Sequence, residues 1–94
     1  MNQREAWRYG QTQGWRAADA EIYGAAAGAN CDQLLAAALV RAAEGSVLID
    51  GGRHTEGLLR MYRKGMRVGA KRRLREAGCR VGRRYWPYGA PKAR

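Results

Sequence analysis

Ninety-four residues carry 18 Lys and Arg against 8 Asp and Glu, a formal charge of +10 with a pI near 10.6. That length leaves room for one domain, spanning 1–94, and the charge makes its surface attract polyanions. A chain of this size buries only roughly 60–65% of the surface its unfolded form exposes, so its core is thin, yet 46% apolar and 28% charged residues make a globular balance rather than a disordered one.

The opening MNQREAW lacks the apolar segment of a signal peptide, and the longest apolar run, Leu34 to Val40, is far short of the ~20 residues of a membrane span. A soluble, unexported, cytoplasmic protein with no membrane partner is expected. In that setting Cys31 and Cys79, which lack CxxC spacing, are expected to stay reduced. The absence of Phe beside three Trp and five Tyr suits aromatics that keep a polar edge at a surface or interface.

Charge divides the chain. Residues 1–52 hold four basic against six acidic side chains, a balance of −2, whereas residues 53–94 hold 14 basic against only Glu56 and Glu76, a balance of +12. A near-neutral half joined to a strongly basic one reads as a scaffold, about 1–52, that presents a polyanion-binding face.

Asn2 with Glu5 three residues on is a capping signature, and Trp7, Gln11, Trp15, Ala18, Ile22 and Ala25 then recur at helical spacing, predicting a first helix over about 3–23. Gly24 and Gly28 bracket an alanine-rich connector. Asn30 with Gln33 caps a second helix over about 31–44, with Cys31, Leu34, Leu35, Ala38, Leu39 and Ala42 on its apolar side and Gly45 as its stop. SVLID, 46–50, is β-branched enough for a strand or an extended connector. A third helix is predicted from His54 or Thr55 to Ala77, with Leu58, Leu59, Tyr62, Met66, Gly69 and Ala77 within one wedge and Gly78 as its stop. The basic, aromatic tail, 79–94, contains two prolines and is expected to be extended in its last part.

The predicted architecture is therefore all-α, a small three-helix domain with a C-terminal extension. The alternative is an α+β fold that pairs short strands at about 46–50 and 79–84, which ranks below it because two short strands alone are marginally stable.

WRYGQTQGWR at 7–16 and YRKGMRVGAK at 62–71 form a local repeat, each with two glycines four residues apart. A glycine inside a helix is disfavoured by about 1 kcal/mol against Ala. Gly10, Gly14, Gly65 and Gly69 therefore imply compensation, most simply close backbone approach between helices 1 and 3, with approach to a partner as the other reading. A homodimer built through these faces is compatible with either.

Arg60, Lys64, Arg67, Lys71 and Arg75 step by 4, 3, 4 and 4 along helix 3 and so share one side of it. Like charges at this spacing repel; Arg63, Arg72 and Arg73 widen the patch, and with so few acids interleaved the row reads as a polyanion contact rather than an ordinary solvated face. The tail adds Arg80, Arg83, Arg84, Tyr85, Trp86 and Tyr88, which suit phosphates and exposed bases. The competing reading folds Tyr85 and Trp86 back to complete the thin core.

Other constellations are weaker. Asp50 to Thr55 is a glycine-containing loop before a helix N-terminus, without the spacing of a phosphate-binding loop, and reads as a connector. His54 beside Asp50 and Glu56 reads as a surface or capping residue rather than a catalyst, and Cys31, Cys79 and His54 have unrelated spacings for a zinc site. No enzyme, cofactor or metal is expected.

QGWRAA at 13–18 and GMRVG at 65–69 are similar to fragments of the ribosome modulation factor family. That family carries its Gly-rich segment before its Trp-Gly-Trp-Arg-like one; here the order is reversed with helix 2 between, so the likeness implies no more than ribosomal RNA among the ligands to consider.

Two functions remain. The first is a nucleic-acid-binding protein in which helices 1 and 2 brace helix 3, whose basic face contacts DNA or RNA phosphates together with the tail; the long connector between helices 2 and 3 does not match a helix-turn-helix. The second is a phage-type accessory or inhibitor module that docks on an acidic protein surface of a larger machine, with Trp7, Tyr9 and Trp15 as anchors.

Overall fold

The computed structural model, described over residues 1–26, 28–48 and 55–79, contains three α-helices and no strand among those residues: α1 Gln3–Tyr23, α2 Cys31–Ala43 and α3 Thr55–Glu76. No helix of the described residues is long and apolar enough to cross a membrane. The all-α expectation holds, and the helix boundaries follow local chemistry. The Asn2 side chain accepts from the Glu5 amide at 2.8 Å while the Glu5 carboxylate accepts from the Asn2 amide at 3.3 Å, a reciprocal capping box. Asn30 caps α2, its Oδ1 accepting from the amides of Asp32 (2.8 Å) and Gln33 (3.1 Å).

At the other end of α3, Gly78 takes φ +109°. There the Cys79 amide donates to the Leu74 carbonyl (2.9 Å) and the Gly78 amide to the Arg75 carbonyl (3.0 Å), the paired bonds of a Schellman stop. This turn folds Cys79 back beside the first residue of α2.

The consequence overturns the expectation of reduced thiols. Cys31 and Cys79 form a disulfide, their Cα atoms 5.9 Å apart across a sequence separation of 48. Spacing along the chain carried no information about this meeting, which depends on how the end of α3 crosses the start of α2. Disulfides persist in oxidising surroundings, so the thiol argument for an intracellular setting lapses.

Gly45 is also corrected. It does not stop α2, which continues as a 3-10 helix over Glu44–Leu48, so Ser46 to Leu48 are helical rather than the start of a strand. The other residues of the two proposed strands, 49–50 and 80–84, lie outside the described residues. Gly45 is small because Tyr62 occupies the space: the Tyr62 hydroxyl donates to the Ala42 carbonyl and lies where a Gly45 side chain would be. Tyr62 is fully buried, with the Tyr9 ring 5.4 Å away, centroid to centroid, at 34°. Burial first, and Tyr9 second, push its hydroxyl up to about 12.

The principal interface joins α1 to α3. Gln3 lies by Gly57, Gly10 by Gly65, Gly14 by Met66 and Asp19 by Arg73, so the two helices run in the same direction. Here the glycine repeat has its reason: a Cβ on Gly10 would lie 3.1 Å from the Gly65 Cα, and one on Gly65 would lie 3.1 Å from the Gly10 Cα. Glycine lets the two backbones touch. All four glycines are buried in this seam, so the contact they make is between α1 and α3 of one chain.

The seam also corrects the core of α1. Ala6, Gly10, Gly14, Ala17, Ala18 and Ile22 are buried, whereas Trp7, Gln11 and Trp15 are only half-buried. Helices in backbone contact leave no room for an indole between them, so the tryptophans flank the seam. α2 packs Cys31, Leu34, Ala38 and Ala42 inward; from α3, Tyr62, Met66, Ala70 and Leu74 complete the core.

Candidate nucleic-acid interface

The face of α3 turned away from this core carries the charge. Arg60, Lys64, Arg67, Lys71 and Arg75 are all exposed, as are Arg63 and Arg72. At 1.5 Å rise per residue the row from Arg60 to Arg75 is roughly 22 Å long, with neighbouring cations about 4.5–6 Å apart along the axis. α3 has eight basic residues and two acidic ones. One of those acids, Glu76, accepts from the Trp15 indole at 3.2 Å; the other, Glu56, borders the basic face near its start.

Arg73 does not belong to this face. Its Nε is 2.8 Å from Asp19 Oδ1, and its guanidinium carbon lies 5.2 Å from the centroid of the Trp15 ring. Arg73 and Trp15 thus fasten the C-terminal half of the α1–α3 seam, and Arg41 similarly joins α2 to α1 through Glu21 at 2.9 Å.

Beside the row runs an open groove of about 620 Å³, lined by Arg60, Arg63, Lys64, Arg67 and Lys71, with Trp7 from α1, Val68, and Glu56 at one end. Val68 is 42% exposed, so it and the half-buried Trp7 give an otherwise cationic groove an apolar strip. Further along, Arg72 shares a second open groove with Thr12, Trp15 and Arg16. The structure thus brings Arg60, Lys64, Arg67 and Lys71 together, places Arg75 on the same exposed side, and sets Arg72 apart beside Arg16.

Trp7, Val68 and Arg16, which line these grooves, lie outside the phosphate-contacting set that the sequence suggests. Trp7 shares the period of Ala18 and Ile22, so spacing alone groups it with the core positions of helix 1. Arg16 belongs to the half of the chain with a net negative balance, and Val68 lies among cations; only the pairing of α1 with α3 assigns either to a groove. Of the aromatic anchors considered, Tyr9 packs on Tyr62 and Trp15 is held by Arg73 and Glu76, whereas Trp7 faces a groove. Arg80, Arg83, Arg84, Tyr85 and Trp86 lie outside the described residues, as does His54. Among the described residues no three of His, Cys, Asp and Glu gather to hold a metal ion.

No protein-family model, curated protein or solved structure matches this chain.

Proposed function

We propose that the protein binds nucleic acid, contacting phosphates through Arg60, Lys64, Arg67, Lys71 and Arg75 on α3, with Arg72 and the tail residues Arg80, Arg83, Arg84, Tyr85 and Trp86 extending the contact. It is read as a binding protein, not an enzyme. The observation that carries the proposal is the exposed cationic row of α3 lying along a groove with one carboxylate at its end. A row of guanidinium and ammonium groups without interleaved acids meets its compensation in a phosphate chain, and release of condensed counterions supplies the driving force.

The test is fluorescence anisotropy against labelled duplex DNA, single-stranded DNA and structured RNA across a salt series. If all five cations of the row neutralise phosphates on a duplex, log K falls against log salt with a slope of about −4.5. The triple change Arg60→Gln, Arg67→Gln, Lys71→Gln is expected to weaken binding across sequences and to flatten the slope by about 2.7. Affinity near ~10⁻⁴ M for all three ligands is no more than unspecific attraction. That outcome refutes the reading and leaves an acidic protein surface as the partner for the same face.

A further inference from the structure

We infer that the groove between α3 and Trp7 selects single-stranded nucleic acid, with an unpaired base stacked on the Trp7 indole while the strand's phosphates meet Arg60, Lys64, Arg67 and Lys71. This rests on the phosphate-binding reading and adds the class of ligand. Trp15 and Trp7 recur eight positions apart on the same helix, yet their surroundings differ. Trp15 has a guanidinium near its face and a carboxylate on its indole nitrogen. Trp7 instead borders an open space of about 620 Å³ with the exposed Val68 beside it and cations around it.

An aromatic ring inside a cationic groove is the composition that suits a single strand, in which phosphates follow the charges and a base covers the ring. A duplex fits it less well. Its bases are already stacked and paired, so none can enter a groove to reach Trp7 without unpairing. An acidic peptide satisfies the cations but has no recurring flat group for the indole.

The experiment compares, on the full oxidised chain, a labelled oligothymidylate of about 12 nucleotides, its abasic counterpart of equal charge and a duplex of the same length. The base-bearing strand is expected to bind roughly tenfold more tightly than the abasic one and more tightly than the duplex at equal salt. Trp7→Leu is expected to remove the preference over the abasic strand while leaving the salt slope intact, and Trp7→Phe, which keeps a ring, to retain most of it. Equal affinity for base-bearing and abasic strands, or tighter binding of the duplex, overturns the inference while phosphate binding stands. A preference that survives Trp7→Leu places the stacking elsewhere and also overturns it. If none of the three ligands binds, the proposed function falls as well.

Discussion

Replacing Gly14 or Gly69 by Ala sets two opposed effects against each other. In an exposed helix interior the change stabilises by about 1 kcal/mol, because Ala restricts the unfolded chain and shields the backbone. In the α1–α3 seam the new methyl has nowhere to go. A Cβ on Gly14 would stand 2.7 Å from the Met66 carbonyl carbon and 2.8 Å from its Cα; one on Gly69 would stand 2.8 and 2.9 Å from the same atoms of Gln11. Carbon atoms rest at about 3.5–4.0 Å, so the helices must part by roughly 1 Å, and backbone cannot rotate aside as a side chain can. Overpacking costs about 1–3 kcal/mol, and a gap of 0.5–1 Å forfeits a quarter to a half of the dispersion energy at each contact it opens. The upper end of that range therefore applies, and after the propensity gain each variant should lose about 2 kcal/mol. Gly57→Ala is the matched control: its nearest neighbour is the Gln3 side-chain amide nitrogen at 3.2 Å, the end of a flexible chain, so the change should be neutral or stabilising by up to about 1 kcal/mol. Urea denaturation of the oxidised proteins, read as midpoint and slope, separates the cases. If Gly14→Ala and Gly69→Ala raise the midpoint as an exposed glycine would, the helices do not meet backbone to backbone and the account of the repeat is wrong.

Reduction of the Cys31–Cys79 bond, or its replacement by two serines, reopens a loop of 48 residues and should lower stability by about 4 kcal/mol on the chain-entropy relation; a melting temperature indifferent to reductant would contradict the pairing. Tyr62 predicts an alkaline limb. Its folded-state value is raised from the usual 10.0 to about 12, so the fold favours the neutral phenol. That contribution is intact below pH 10 and lost as pH climbs from 10 towards 12, an amount of roughly 2–3 kcal/mol. Tyr62→Phe should lack this limb and cost about 1 kcal/mol at neutral pH through the lost hydrogen bond to Ala42. Tyrosinate absorbance followed against pH checks it directly, and a Tyr62 that ionises at the usual 10.0 would sink the argument from burial.

What could be read from sequence was local. Asn2 with Glu5, Asn30 with Gln33, and Gly78 announced helix ends because capping needs only neighbouring residues. The two glycine pairs announced a seam because their cost has few remedies. What escaped depended on the third dimension. Trp7 and Ala6 are adjacent in sequence, and periodicity alone favours the larger apolar residue for the core; only the close approach of α3 decides for Ala6. Gly45 looked like a stop because the hydroxyl it accommodates is 17 residues away on Tyr62. Arg73 looked like one cation among eight until Asp19 and Trp15 were placed beside it. The row Arg60, Lys64, Arg67, Lys71 and Arg75 was legible because it occupies one face of one helix, whereas the groove required α1.

The row also bears on why α3 is built as it is. Its exposed cations make seven pairs three or four residues apart, and at a few tenths of a kcal/mol per pair the repulsion comes to roughly 2 kcal/mol. Within the described chain the compensation lies on the other side of the helix: buried Tyr62, Met66, Ala70 and Leu74, the glycine contact with α1, and the Arg73–Asp19 pair. These interactions hold α3 against its own charge without neutralising it. Solubility alone would be served as well by mixed charges, which carry no such penalty. A helix held in this way keeps its cations on one ordered face, so a polyanion docking there, as proposed above, would not have to order the helix itself.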